Sequence, residues 1–429
     1  MSDTEEKKMS EEPLKAEGDG EDQVDAKVFD QNNDLIQESH EAEFLCYNPS
    51  TKSGHTVYTC KGADEQGLWE GERRYNEFFK LHEKLLQGWP GIPVPSLPPK
   101  KAIGNKHQQF INERRFYLER FLKKVSAFNF VLNSQEFNIF SRPQGDIDKQ
   151  LTSMRKPTTP ELVEKYRFVL KIEEQMYTPL IKDKLDNQCK EFLHFSKQIV
   201  PLLKALVKAI ALFSQNKSQC IQDNKNFMAM LDKYEELNLA NYVEGNEEKM
   251  VFGNKQSEDT ENVKEQVAQM CDNLKNPYFN LYHWCKGELL DIEAVTNSLT
   301  QRDKIQEKIG KTQKKKISTQ GDLENITTGR KTVKTLFKNQ NDTGTMVNKI
   351  ELTDKEIESL QQLHDLLTIY LGETIIPPFK ERRLNIYSKI VQQFNVMQIN
   401  NAHQIASFWS HILQNPNIQN ANEEVKTAA

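Results

Sequence analysis

The chain has no stretch approaching the roughly 18 uncharged apolar residues that a membrane-crossing helix needs. Its richest apolar run, Ile199–Phe213, is shorter and carries Lys204 and Lys208, so no segment is expected to span a bilayer. The start, Met1–Glu21, is acidic and has no apolar core, unlike a secretory signal. None of the six cysteines forms a Cys-x-x-Cys pair. Most fall in apolar patterns, where a thiol is a small core residue, and a reducing compartment is the simpler expectation. Catalytic signatures are missing as well: there is no P-loop, no Gly-x-Ser-x-Gly elbow and no His-Glu-x-x-His. The nine histidines are scattered, and His194, His283 and His364 read as packing or surface residues within helices. No catalytic residue, metal site or cofactor is therefore expected, and the chain is not read as an enzyme. What is present is charge, 28% of residues against 37% hydrophobic. That balance suits long helices with narrow apolar stripes better than one large core.

Residues 1–39 hold thirteen Asp/Glu against four Lys and are expected to be a disordered, solvating acidic tail. From Ala42 the pattern changes. Ala42–Tyr47, His55–Lys61 and Gly67–Arg74 read as strands, the first two joined by a turn through Asn48-Pro49-Ser50 to Gly54. Helices are expected at Tyr75–Leu86, His107–Ala127 and Ser134–Phe140. Between the first two lies a five-proline run, Pro90–Pro99, suited to extended polyproline conformation. An α+β domain is thus expected over 40–145, a linker over 146–182, a helical domain over 183–420 and a flexible C-terminus over 421–429. In the linker Leu162, Tyr166, Val169, Met176 and Leu180 are expected on one helix face, packing the α+β domain against the helical rods or wedging into lipid.

Beyond Pro143 no strand is expected, and three long helical segments are drawn at 160–240, 257–318 and 347–415. Their breaks fall at Gly245–Ser257 and Ser318–Thr345. The first rod carries a seam at alternating three- and four-residue steps from Leu185 through Cys189, Phe192 and Ser196 to Phe227, Leu231 and Tyr234. Extra apolar residues widen the stripe between Phe192 and Phe213, so it has its own bundle and a second chain to cover. The third rod shows Ile357, Leu360, Leu363, Leu367 and Tyr370, then Leu384, Tyr387, Val391 and Phe394. Prolines inside the rods (Pro201, Pro277 and the pair Pro377-Pro378) are expected to kink them.

The most informative stretch is Glu72-Arg73-Arg74-Tyr75-Asn76-Glu77-Phe78-Phe79, where a strand turns into a helix. It is followed by the proline run ending Leu97-Pro98-Pro99-Lys100-Lys101, then by Phe110-Ile111-Asn112-Glu113-Arg114-Arg115 opening a helix. A phosphorylated inositol ring needs a guanidinium for bidentate phosphate contact, an aromatic face and a second cation. This order of motifs resembles the PX domain of sorting nexins. The resemblance implies a three-stranded sheet against helices and a site for phosphatidylinositol 3-phosphate. It assigns Arg74 to the 3-phosphate, Tyr75 to the inositol ring, Lys100 to the 1-phosphate and Arg114 to the 4- and 5-hydroxyls. Loop residues Ile92 and Val94 are further candidates for insertion into the bilayer.

The rest of the chain resembles, in architecture and order, the BAR part of the same family: an all-α, elongated three-helix domain that dimerises into a crescent. Residues 302–338 carry eleven Lys/Arg and four acids. If they form the tip of a hairpin of rods, Lys311, Lys314, Lys315, Lys316, Arg330 and Lys331 become membrane-contact candidates, each cation near an anionic leaflet contributing about 1 kcal/mol. A nucleic-acid role is not expected, because aromatic residues are not interleaved with the charges. The resemblance implies a homodimer, or a heterodimer with another BAR-type sorting nexin. That dimer would sit on the cytosolic face of endosomal membranes, with coat or cargo proteins as partners. The competing expectation is a PX-anchored coiled-coil scaffold that does not remodel membrane.

Overall fold

The computed structural model describes residues 44–100, 108–240, 251, 263–328 and 343–414. They divide into two compact units, one holding residues to Gln87 together with Pro95–Arg155, the other holding Gly88–Val94 and residues from Lys156 onward.

In the first unit, β1 (Leu45–Lys52), β2 (His55–Asp64) and β3 (Gly67–Arg74) form an antiparallel sheet in sequence order. The hairpin turn is tighter than the sequence suggests: Ser53 and Gly54, at φ 50° and 77°, make the connection alone. Two successive positive φ values match the right-handed strand twist. Asn48-Pro49 lies within β1, where the register shifts between Tyr47 and Ser50. Proline cannot donate to the ladder, and an edge strand with a bulge accommodates it. Four helices follow: α1 (Tyr75–Gly88), α2 (Gln108–Ser126), α3 (Asn129–Leu132) and α4 (Gln135–Ser141), with Ser134 capping α4 through Phe137 N at 3.3 Å. Aromatic edges fill the core between sheet and helices: Phe78 lies 4.9 Å from Phe140, and Trp69 lies 5.9 Å from Phe137. A short α5 (Ile147–Ser153) closes the unit.

Among its described residues the second unit has helices and connecting segments and no strand. It begins with α6 (Thr159–Leu170), started by a Thr158/Glu161 capping box and ended by Lys171 in the left-handed region at φ 51°. Leu162 and Tyr166 are buried, but Met176 and Leu180 lie beyond the helix end and are 65% and 79% exposed. The five residues expected on one amphipathic face therefore do not share one.

Then come α7 (Pro179–Glu235), α8 (Val263–Asn273), α9 (Tyr278–Thr327), α10 (Thr343–Ile369) and α11 (Ile376–Leu413). At 57 residues, α7 is about 85 Å long. Pro201 lies inside α7 and does not end it. Pro277 is different: it stands between two helices, so the second rod is divided and not merely bent. Asn276 holds this break by donating to Ser214 O at 2.7 Å and Ser218 Oγ at 2.9 Å. Asn401 accepts from Lys275 N at 3.1 Å and donates to Lys275 O at 2.7 Å, which satisfies the backbone there. Pro377 and Pro378 occupy the first turn of α11, after a wider π turn at Tyr370–Ile375. There Gly372 allows close approach to Leu185, whose Cβ is 3.0 Å from where a Gly372 Cβ would stand. The break expected from Ser318 begins later, because α9 continues to Thr327. The hydroxyls of Thr319 and Thr327 donate to Lys315 O and Leu323 O one turn back, so these residues fit within the helix.

The seam of α7 holds in part. Leu185, Cys189, Phe192, Ser196, Leu203 and Ile210 are buried, as is Met228 further along. Leu206, Phe213, Cys220, Phe227 and Tyr234 are exposed. An ideal helix drifts about 20° per heptad from a 3.5-residue repeat. The face covered by the chain itself therefore leaves the heptad register, and the strict seven-residue series turns outward. By length and hydropathy alone the helix Pro179–Asn238 could cross a membrane, with an 18-residue window of mean hydropathy 1.3 that is 11% buried. The expectation that no segment is apolar enough is thus corrected on composition. Lys204 in this stretch pairs with Glu293 at 2.9 Å, and Leu203 and Ile210 pack with Cys285 and Ile292 of α9, as one face of a bundle helix does.

Gly88–Val94 packs within this second unit. Tyr166 Oη donates to Pro90 O at 2.7 Å, Lys165 Nζ to Gly88 O at 3.0 Å, and Gly91 N to Gln301 Oε1 at 2.7 Å. Ile92 and Val94 are 1% and 4% exposed, which overturns the expectation that they project toward a bilayer.

Candidate functional site

Strand alternation separates the two arginines at the end of β3. Arg73, cross-strand from Tyr58, turns inward and donates to Phe140 O (2.7 Å), Ser141 O (2.9 Å) and Glu72 O (2.7 Å). Its burial lowers its pKa from the ordinary value, and three carbonyls accept from it. Arg74 turns outward and is exposed at the residue before α1. Its backbone N–H donates to Glu77 Oε2 at 2.7 Å, one half of a capping box that fixes the strand-to-helix corner.

The three motif segments meet at Tyr75. Its hydroxyl donates to Pro98 O, which ties the proline-rich loop to the start of α1. The Arg114 guanidinium carbon stands 4.2 Å from the Tyr75 ring centroid, bringing α2 to the same point. One turn along α1, Phe79 carries Lys100 Nζ 3.6 Å above its ring, while the lysine remains exposed. Each cation–π contact contributes about 0.5–2 kcal/mol. Burial raises the Tyr75 hydroxyl pKa and the Arg114 charge opposes it. Burial also pushes Tyr58, inside the sheet, up to about 12, again against the pull of Arg114.

The structure also distinguishes the two arginines of α2. Arg115 faces the sheet, donating to Cys46 O at 3.2 Å, with Nη1 3.8 Å from buried Glu119. Arg114 faces Tyr75. Sequence reasoning gave Phe110 no role of its own, yet its centroid lies 4.3 Å from the Arg114 guanidinium carbon. The four-residue spacing that places it there on a helix is visible in the sequence.

The basic candidates of the second unit fall differently. Lys311, Lys314, Lys315 and Lys316 lie on α9 itself and not in a connecting loop. Lys316 pairs with Asp354 at 2.5 Å and Lys308 with Glu356 at 2.9 Å, both acids of α10. Lys314 and Lys315 are exposed. Arg330 and Lys331 lie outside the described residues. Arg302, counted among the cations of this region, is 2% exposed and holds Asp186 at 3.0 Å and Asp303 at 2.7 Å, a structural role.

The PX domain family model matches residues 63–144. Vacuolar protein sorting-associated protein vps5 of Schizosaccharomyces pombe is 34% identical over 96 residues, 21% of this chain and 16% of that protein. Sorting nexin MVP1 of Candida albicans is 25% identical over 247 residues, 56% of this chain and 31% of that protein. The chain spans less than a third of either relative's length. A cryo-EM structure described as the SNX-BAR Mvp1 tetramer shares the fold at a TM-score of 0.59 and 14% identity. The match covers 86% of this chain and all of that one. Residues 63–144 thus match a PX domain, and the chain as a whole shares the fold of the SNX-BAR Mvp1 structure.

Proposed function

We propose that the chain is a peripheral membrane protein of membrane sorting and vesicular transport. In this reading it binds phosphatidylinositol 3-phosphate on the cytosolic face of endosomes and dimerises through its helical region to sense or induce curvature. The observation that carries the reading is the convergence at Tyr75: Pro98 on its hydroxyl and Arg114 on its ring, with Arg74 exposed beside it. Arg74 and Lys100 would take the phosphates, Tyr75 the ring and Arg114 the 4- and 5-hydroxyls. Domain limits of 40–145 for the PX domain and 183–420 for the BAR-type domain go with this reading.

The outward heptad series Leu206, Phe213, Cys220, Phe227 and Tyr234 supports the dimer, because a strict seven-residue repeat suits a supercoiled contact with another helix. Two bound headgroups then act together, the second contact being intramolecular. The ion pairs of Lys308 and Lys316 leave less unpaired positive charge on α9, which favours the alternative of a PX-anchored scaffold without remodelling activity.

Co-sedimentation with liposomes, with and without phosphatidylinositol 3-phosphate, tests the headgroup site. Lipid-dependent binding by the wild type and its loss in Arg74→Ala are expected. Equal binding by both proteins, following bulk negative charge alone, overturns the assignment. Imaging of the coated vesicles then decides between coat and scaffold, since a remodelling dimer forms tubules and a tether leaves spheres.

A further inference from the structure

We propose that Phe110 is a positioning residue that clamps Arg114 and so selects inositol rings whose 4- and 5-positions carry hydroxyls over rings phosphorylated there. The inference rests on the headgroup reading above and adds to it a determinant of selectivity. The guanidinium carbon of Arg114 lies at near-equal distances from two ring centroids, 4.2 Å to Tyr75 and 4.3 Å to Phe110. Tyr75 is held from behind by its bond to Pro98 O, and Phe110 is one helical turn from Arg114 on α2. Arg114 is 9% exposed, and its Nε is buried without a hydrogen-bond partner. The guanidinium is thus largely enclosed, with the Tyr58 hydroxyl as a further neighbour beside the two rings.

A guanidinium stacked by two rings has one reach and little freedom to withdraw. Each of two vicinal hydroxyls can accept one N–H of the planar guanidinium. A phosphate on either position extends further from the ring and requires the arginine to retreat, which the clamp resists. Without Phe110, Arg114 regains rotamers that binding must freeze, and it can back away to receive a bulkier group. Affinity for the monophosphorylated ring should then fall, on the order of tenfold for one stacking contact. Affinity for the bisphosphorylated ring should fall less or rise.

The test is calorimetric titration of the full chain with dibutanoyl phosphatidylinositol 3-phosphate and with the 3,5-bisphosphate analogue. It compares wild type with Phe110→Leu, Phe110→Tyr and Arg74→Ala. The expected result is a several-fold loss of the selectivity ratio in Phe110→Leu and its rescue in Phe110→Tyr, with unchanged thermal unfolding. If Phe110→Leu lowers the unfolding temperature, Phe110→Met, of similar volume and without a ring, carries the same comparison. A ratio unaltered in the leucine and methionine variants, with binding still dependent on Arg74, overturns the clamp alone. Binding that does not depend on Arg74 overturns the headgroup reading itself, and the clamp with it.

Discussion

Arg73 and Arg74 are consecutive on β3 and leave it on opposite faces, Arg73 donating to Phe140 O and Ser141 O while Arg74 is exposed. One is a structural tie between sheet and α4; the other is available to a ligand. Arg73→Met should therefore destabilise the PX unit by about 3 kcal/mol, because buried carbonyls lose a charged donor. Arg74→Ala should change stability by no more than about 0.5 kcal/mol and abolish lipid-dependent sedimentation. Urea unfolding of both variants beside the liposome assay checks the division of roles. Equal destabilisation by the two substitutions contradicts it.

Much of this site was legible in the sequence because its signals are local. The motif places a cation before a helix start, the run of prolines forces an extended loop, and Phe110-x-x-x-Arg114 sets two side chains one turn apart. The choice between Arg73 and Arg74, or Arg114 and Arg115, is a matter of facing, which strand and helix phase decide only once the neighbours are known. Ile92 and Val94 could not be read at all. Their burial depends on Tyr166 and Gln301, distant in sequence, which hold the neighbouring Pro90 and Gly91. Pro277 was expected to kink a rod and divides it instead for a similar reason, since side chains from Asn276 and Asn401 satisfy the backbone where the helix ends.

The exposed heptad series on α7 predicts the oligomeric state. Leu206 and Phe227 are 41% and 49% exposed, so charges placed there should leave the fold of one chain intact. The double variant Leu206→Glu with Phe227→Glu should weaken dimerisation by about a hundredfold or more, as uncompensated charges would be buried between two copies. Sedimentation equilibrium should show the monomer mass, with helical circular dichroism retained. A dimer that survives both charges places the interface elsewhere.

Gly91 tests how the Gly88–Val94 segment is held. Its φ is +88°, and an added Cβ would stand 2.7 Å from Leu367 Cδ1, a side chain that is itself fully buried. Gly91→Ala thus combines backbone strain with a clash and should cost about 2–4 kcal/mol. Hydrogen exchange should rise across residues 88–94, because the Gly91 amide loses its bond to Gln301. Gln301→Ala removes the same acceptor without strain and should produce a smaller rise at the same amides.

Asp365 gives the helical unit a defined acid sensitivity. Burial alone would raise its carboxyl pKa, but the His364 ring, the Lys182 ammonium and the Gln361 amide outweigh burial and hold it at about 2. Lys182 Nζ lies 2.6 Å from Asp365 Oδ2, and Gln361 Nε2 lies 3.0 Å from Oδ1. A folded pKa below the unfolded value of about 3.9 means that the charged form favours the native state. The contribution is therefore complete above about pH 5 and disappears as pH falls through 4 toward 2. The side chains of Lys182 and Asp365 are 31% and 24% exposed, so solvent screening limits the effect to about 1 kcal/mol. Asp365→Asn should be less stable than wild type in urea at pH 6, and the gap should narrow steadily to pH 2.5. A gap that stays constant over that range would mean that Asp365 acts by shape and hydrogen bonding alone, with its charge contributing nothing to the fold.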